Sequence, residues 1–472
     1  MCFYTIGYRA FASLSVQETP LEDVNGMVKN SHLLETKSRI DSGDAKIGII
    51  GLGYVGLPLA VAFCEKYVVF GYDSDEDKCK MLTKGKSYID DIPDSSIKNL
   101  IGKRLKVISR ESKLKECDAV IICVPTPLDV RGIPDLSYIA HSADIIRRVA
   151  GKGMLVVLES TSYPGTTEEY LGHAIKGVGL VPGVDVALAF SPERVDPGNK
   201  KFGIKNTPKV VGGVNEESTE LAASLYGSIV EAGVVKVRDC KTAEATKIVE
   251  NIFRGVNIAL INELALIFEK MGIDTWEVVR AASTKPFAFM PHYPGPGVGG
   301  HCIPLDPLYL SYKAKQYGIV PRFIELSREV NEFMKNHTIN LVMAAMDEAG
   351  MEPLDATVAV MGIAYKKNIS DTRESPAAEI IEELSKRVGK VLVHDPLAKN
   401  IHTHRGDFKT STMKTIMGDA DCLVFVADHD EYIVQFPGAF KGSKAKVVID
   451  TRNMFDAEIL RRMGIKYRCI GK

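Results

Sequence analysis

An excess of charge of either sign is missing from this chain. Lys and Arg number 59 against 60 Asp and Glu, a formal net charge of -1, so no global field draws in nucleic acid or an anionic membrane. Any anionic ligand must be held locally. Paired cysteines are missing too: the nine, at positions 2, 64, 79, 117, 123, 240, 302, 422 and 469, include no C-x-x-C. His301 and Cys302 are adjacent but have no second pair at zinc-site spacing, so no metal is expected. Scattered single thiols fit a reducing, cytoplasmic setting. No apolar run approaches the roughly 18 residues that cross a bilayer, so no membrane association is expected. Residues 1–16 hold one basic residue and no clear small-residue cleavage site, a poor match to a signal peptide. Residues 1–44 are expected to be a disordered or loosely packed extension.

What is present is an ordinary globular composition, 45% apolar and 25% charged over 472 residues, enough for two or three cores. From Lys46 onward, short β-branched runs at 46–50, 68–72, 119–124, 154–159, 186–190 and 209–211 alternate with helical stretches. That pattern predicts an α/β fold whose parallel sheet is covered on both faces. Residues 241–269 contain no proline and repeat apolar residues at helical spacing (Ile248, Ile252, Val256, Ala259), which predicts one long helix. Such a helix serves either as a spine and dimerisation element or in internal packing. The alternation restarts at 357–362, 391–395, 422–427 and 447–450. The expected domains are therefore 45–239, a central helical 240–345 and 346–472, the outer two being Rossmann-like doubly wound sheets.

Gly51-Leu52-Gly53-Tyr54-Val55-Gly56 follows the first expected strand and opens a helix, and Asp73 ends the next strand. Gly51 permits a tight turn, Gly53 lets the backbone approach a pyrophosphate, and Gly56 lets helix and strand pack closely. Exposed amides at the helix start hold the phosphates. Asp73 can accept hydrogen bonds from the adenosine ribose hydroxyls and would repel a 2'-phosphate, so the expected cofactor is NAD. The second unit's loop, Met361 to Lys367, lacks the three-glycine spacing and should hold a different nucleotide-like ligand. Lys366 and Lys367 suit its phosphates or hydroxyls, or form a solvated pair.

A run from Tyr293 to Pro307 places Gly295, Gly297, Gly299 and Gly300 ahead of Cys302. Such a loop can approach a ligand closely, with Cys302 expected at the start of the next helix, where amides favour a thiolate. Lys247 and Asn251 share one side of the long helix, and Asp306 lies four residues after Cys302. Each has an inert alternative, a packed thiol or a solvated lysine.

The chain resembles the UDP-glucose/GDP-mannose dehydrogenase family from Lys46 to the C-terminus. The resemblance is carried by Gly51 to Pro58, Val124 to Pro127, Glu159-Ser160-Thr161, Ser191 to Arg194, Gly299 to Cys302 and Asp371 to Pro376. Ser191 to Asn199 and Pro294 to Pro307 are similar to the N-acetylhexosamine branch, because glucose-oxidising members usually carry Phe-Leu where this chain has Arg194-Val195. The resemblance implies a two-step oxidation at C6 of a UDP-N-acetylhexosamine, with N-acetylglucosamine favoured over N-acetylmannosamine. It implies Cys302 as nucleophile and Lys247 and Asn251 on the developing oxyanion. Thr161 and Asp306 hold a water, and Glu193 organises hydrolysis. Thr126, Glu159, Lys78 and Arg373 are implied on the cofactor, and Arg194, Tyr293, Gly297, Gly299, Tyr365 and Lys366 on the sugar nucleotide. A homodimer is implied as well. A simple hydroxyacid dehydrogenase would not need Cys302, and a non-catalytic sensor would not need Lys247, Asn251, Cys302 and Asp306 together.

Overall fold

The computed structural model describes residues 31–472 apart from 90, 130, 196, 197, 200 and 437. Asp196 and Pro197 of the Ser191–Asn199 motif, and residues 1–30 of the extension, lie outside the described residues. The last part of that extension is a correction. Ser31–Ser42 is an α-helix that buries Leu33, Thr36 and Ile40. Thr36 Oγ1 donates to the Gly153 carbonyl at 2.8 Å, and Tyr67 Oη donates to that of Ile40 at 2.9 Å. Only one narrow stripe of this helix faces inward, so its composition reads as polar although it is docked on the first domain.

The first sheet contains β1 (Lys46–Ile50), β2 (Val68–Tyr72), β3 (Leu105–Val107), β4 (Ala119–Ile122), β5 (Leu155–Leu158), β6 (Ala187–Phe190), β7 (Lys209–Gly213) and β8 (Val234–Lys236). Their order is β3-β2-β1-β4-β5-β6-β7-β8, parallel except for the β6–β7 pair. Alternate residues of β1 enter two separate cores, Ile47 and Ile49 on one face and Ile50 on the other. Burial on both faces is why these strands read as unbroken apolar runs.

The second sheet contains β9 (Thr357–Met361), β10 (Lys390–His394), β13 (Cys422–Phe425), β14 (Val447–Asp450) and β15 (Lys466–Cys469), with a hairpin of β11 (Asn400–Thr403) and β12 (Gly406–Lys409) beside it. Its order, β10-β9-β13-β14-β15, is parallel throughout. In an open parallel sheet, the place where strand order reverses leaves a crevice at the strands' carboxyl ends. Both sheets build that place alike. Gly51 after β1 has φ 90°, and a Cβ there would lie 2.6 Å from the Cys123 carbonyl after β4. Gly362 after β9 has φ 81°, and its Cβ would lie 2.8 Å from Ala427 after β13.

Between the sheets runs a helix of 32 residues, Cys240–Met271, started by the Asp239 side chain on the Thr242 amide and ended by Gly272 at φ 70°. By length and hydropathy this helix would suffice to cross a membrane. It instead packs along the helices Asp306–Gln316 and Arg322–Glu348, and Asn262 within it is wholly buried against Asn331 at 2.9 Å.

Candidate active site

The carboxyl ends of β1, β4 and β5, the long helix, the cysteine loop and the loop after β9 open onto one cleft of about 2200 Å³. Small-molecule pockets usually hold about 300–1,000 Å³, so this one has room for two nucleotide-sized ligands.

On the dinucleotide side, a Cβ at Gly56 would run into the Gly51 carbonyl, whereas Gly53 has nothing within 4 Å of one. The turn is therefore forced at Gly51 and Gly56 and open at Gly53, where a phosphate can come close. Asp73 steadies the turn: one carboxylate oxygen accepts the Leu52 amide at 2.7 Å and the other the Asp75 amide at 2.8 Å. Tyr54, Val55, Asp73, Lys78, Thr126 and Glu159 all line the cleft. Arg373 reaches it from the second domain, its guanidinium 4.8 Å from the Tyr54 ring centre and anchored on Asp371 at 2.7 Å. These residues fit NAD, with open amides for the pyrophosphate and an acid for the ribose.

Cys302, Lys247, Asp306, Thr161 and Glu193 converge on the same cleft. Cys302 is exposed and sits one turn before the Asp306–Gln316 helix, its carbonyl accepting the Asp306 amide at 2.9 Å. It does not begin the helix as expected, because Pro304 disfavours a helical Ile303 before it. Asn251 stands behind the cleft wall and acts through Asp306, donating from Nδ2 to Oδ2 at 2.5 Å. Burial pushes the Asp306 carboxyl up to about 7, against the pull of Lys247 and Asn251. Glu193 responds oppositely. Burial opposes its charge, but Lys209, the amides of Val195 and Arg194, and Lys247 hold it below the usual carboxylate range. Both amides donate to one Glu193 oxygen at 2.6 Å.

Six residues stand elsewhere than expected or act indirectly. Asn251 is one, as above. Arg194 turns from the cleft to pair with Glu250 at 2.7 Å and with the Pro208 carbonyl at 2.8 Å; a carboxylate on the neighbouring helix outcompetes solvent for it. Tyr293 stacks on Trp276, ring centres 5.2 Å apart. Gly297 and Gly299 face protein and line no part of the cleft: a Cβ at 297 would sit 3.2 Å from the Asn331 carbonyl, and one at 299 would sit 2.6 Å from that of Glu374. The glycines thus let the cysteine loop lie against the second domain. Tyr365 lines the cleft with Lys367, whereas Lys366 does not.

Two residues escaped the sequence reading. Lys209, buried at the head of β7, joins Glu159 at 2.9 Å and Glu193 at 3.6 Å, while Tyr226 Oη donates to Glu159 at 2.5 Å. Two carboxylates hold this ammonium charged although burial opposes it. A lysine opening an apolar strand was the available signal. His301 lines the cleft edge-on to Tyr365. Burial and the Arg373 charge lower its pKa despite Asp371, and its place beside Cys302 was the clue.

Two nucleotide-binding sheets facing across a cleft that holds a thiol, an ammonium and a carboxylate define an oxidoreductase of the nucleotide-sugar class. Three domain models of the UDP-glucose/GDP-mannose dehydrogenase family match in order: the NAD binding domain over 45–230, the central domain over 241–333 and the UDP binding domain over 359–457. The chain belongs to this family and is an NAD-dependent UDP-sugar dehydrogenase. It is 40% identical to a UDP-N-acetyl-D-glucosamine 6-dehydrogenase of Pseudomonas aeruginosa over 75% of this chain and 83% of that one. The solved structure of a UDP-N-acetyl-D-mannosamine dehydrogenase from Pyrococcus horikoshii superposes with TM-score 0.82 at 36% identity, covering 90% and 99% of the two chains. An NDP-N-acetyl-D-galactosaminuronic acid dehydrogenase from Methanosarcina mazei gives 0.79 at 31%, covering 95% and 98%.

Proposed function

We propose that the protein oxidises C6 of a UDP-N-acetylhexosamine, UDP-N-acetylglucosamine first and UDP-N-acetylmannosamine second, from alcohol to carboxylate. The observation that carries this reading is the convergence of Cys302, Lys247, Asp306, Thr161 and Glu193 on one cleft between the two sheets. Similarity to relatives named for both epimers supports the N-acetylhexosamine class.

Gly51–Gly56 and Asp73 would hold NAD, which would supply the hydride acceptor for each of two oxidations. Asp306 and Thr161 hold a water that takes the C6 hydroxyl proton, while Lys247 stabilises the oxygen as it becomes anionic and Asn251 steadies Asp306 from behind the cleft wall. The Cys302 thiolate then adds to the C6 aldehyde, forming a C–S bond and a thiohemiacetal. Loss of the second hydride and the hydroxyl proton gives a thioester. Water, ordered by Glu193 and Asp306, adds to its carbonyl; the C–S bond breaks, the thiolate leaves and the carboxylate is released. Overall, one alcohol, one water and two NAD yield one carboxylate, two NADH and three protons. Tyr365 and Lys367, which line the cleft, hold the nucleotide from the second domain, and Lys78, Thr126, Glu159 and Arg373 flank the cofactor.

The enzyme works as a cytoplasmic homodimer in this reading. Scattered single cysteines with no C-x-x-C pair support a reducing compartment. Val249, Phe253, Leu260 and Ile267 form an exposed stripe on the long helix, at spacings that bring them to one face, and support pairing with a second copy.

The test is to supply UDP-N-acetylglucosamine, UDP-N-acetylmannosamine and UDP-glucose separately and count NADH per sugar, with Cys302→Ala in parallel. Two NADH from one N-acetyl sugar, lost in the variant, is the expected result. A single NADH, or indifference to Cys302, overturns the thioester route.

A further inference from the structure

The long helix carries a buried carboxylate that the chemistry above does not use. Glu244 lies three residues before Lys247 and seven before Asn251, positions that share a helix face. It is wholly buried, and its partners all belong to one segment. Oε1 accepts the Thr167 amide at 2.8 Å and the Thr167 hydroxyl at 2.7 Å, and Oε2 accepts the Gly165 amide at 2.5 Å. That segment leaves β5 through Glu159, Ser160 and Thr161, turns at Gly165 with φ 106°, and enters a π-helical turn at Thr167–Gly172.

A buried carboxylate is costly unless paired with a cation. Among the described residues Glu244 forms no ion pair, and burial pushes its carboxyl up to about 7 against the three donors. A glutamine could not replace it isosterically, since all three partners donate and its NH2 would face a donor. What the carboxylate secures is the link between the β5 loop and the helix that bears Lys247. The helix holds the other arms of the site in the same manner, the Glu193 loop through Glu250 and Arg194 and the cysteine loop through Asn251 and Asp306.

We propose that Glu244 is a positioning residue for the first oxidation, fixing Thr161 relative to Lys247 and Asn251 by anchoring Gly165 and Thr167. This rests on the reading of Thr161 as a holder of the proton-accepting water. A group displaced by a fraction of an ångström at a reacting centre loses rate while ligand binding persists, on the order of ten- to a hundredfold.

The experiment is a double-mutant cycle of Glu244→Gln and Thr161→Ala, with kcat, KM and the isotope effect of C6-deuterated substrate measured for each. Glu244→Gln is expected to lower kcat at least roughly tenfold, raise the isotope effect, and leave KM for NAD and sugar within about twofold. Oxidation of the separately supplied 6-aldehyde, which depends on Cys302, stays near the wild-type rate. In the Thr161→Ala background, Glu244→Gln adds little, because the two act through one group. A wild-type kcat in Glu244→Gln, equal loss in both oxidations, or additive losses overturns the proposal. A wild-type rate in Thr161→Ala alone overturns the water-holding reading instead. If Glu244→Gln does not fold, Thr167→Val removes one donor from the other side, and the same split between the two oxidations is required of it.

Discussion

Asn251 Nδ2 donates to Asp306 Oδ2 at 2.5 Å, joining the long helix to the end of the cysteine loop behind the cleft wall. The carboxylate it steadies is buried, and a carboxyl held near neutrality is suited to moving protons at working pH. Lys247 acts on both Asp306 and Glu193 and favours the charged form of each, so one ammonium serves two acids of opposite tendency.

The first prediction concerns pH. The native Asp306 carboxyl is raised from 3.8 to about 7, first by burial. The folded protein therefore keeps a proton that the unfolded chain releases between about pH 4 and 7, and stability falls as pH rises through that window. Above it, the buried charge costs a few kcal/mol, at about 1.4 kcal/mol per pKa unit. Asp306→Asn should melt higher than wild type at about pH 8, with the gap closing towards about pH 4. Its activity should be lost, and wild-type kcat/KM should rise with pH through about 7 as the base ionises. Calorimetry across pH and a pH–rate profile check both halves.

Lys209→Met leaves Glu159 and Glu193 as two buried carboxylates without their cation. Removing one partner of a buried ion pair typically costs about 3–5 kcal/mol, and urea unfolding at about pH 8 should register a loss of that order. Adding Glu159→Gln should recover part of it, since only one carboxylate then needs a counter-charge. A loss below about 1 kcal/mol in Lys209→Met would mean that water reaches these groups.

The dinucleotide turn was legible because its constraints are local. Gly51, Gly56 and Asp73 answer to atoms on adjoining strands, and spacing alone places them. β1 and β2 likewise match the predicted 46–50 and 68–72 residue for residue. β3 and β8, three-residue edges with partly exposed patterns, carry too little apolar signal to be seen. Arg194 was misplaced because its partner Glu250 sits on a helix far along the sequence, and Lys209 was missed because the charges that justify it come from two other segments. The cysteine loop's glycines were read as facing a ligand. Nothing local could reveal that Glu374 and Tyr365 would come to lie against them.

The exposed stripe on the long helix gives a prediction about assembly. Leu260 and Ile267 are about half exposed in the single chain. Exposed apolar side chains on one helix face suit the proposed pairing with a second copy, and one charge among them should break an isologous contact, where each change occurs twice. Leu260→Asp should sediment as a monomer while the wild type sediments as a dimer. Equal sedimentation of the two would remove this helix from the interface.

The last prediction follows from what surrounds Gly299. A Cβ there would lie 2.6 Å from the Glu374 carbonyl, 2.8 Å from Pro376 and 2.9 Å from Tyr365. Backbone and ring cannot both retreat, so Gly299→Ala must push the cysteine loop away from the second domain. Overpacking typically costs about 1–3 kcal/mol, yet the larger effect should be catalytic. Cys302 is three residues along the same loop, and a thiolate misplaced by about an ångström loses on the order of a hundredfold in rate. Gly53→Ala is the control in the same protein: nothing lies within 4 Å of its Cβ, so protein packing should be unchanged while the approach of a pyrophosphate is obstructed. Gly299→Ala should therefore lower kcat and melting temperature together, and Gly53→Ala should raise KM for NAD at unchanged melting temperature. If Gly299→Ala also acted only on KM for NAD, the loop would be facing the cofactor instead of the second domain.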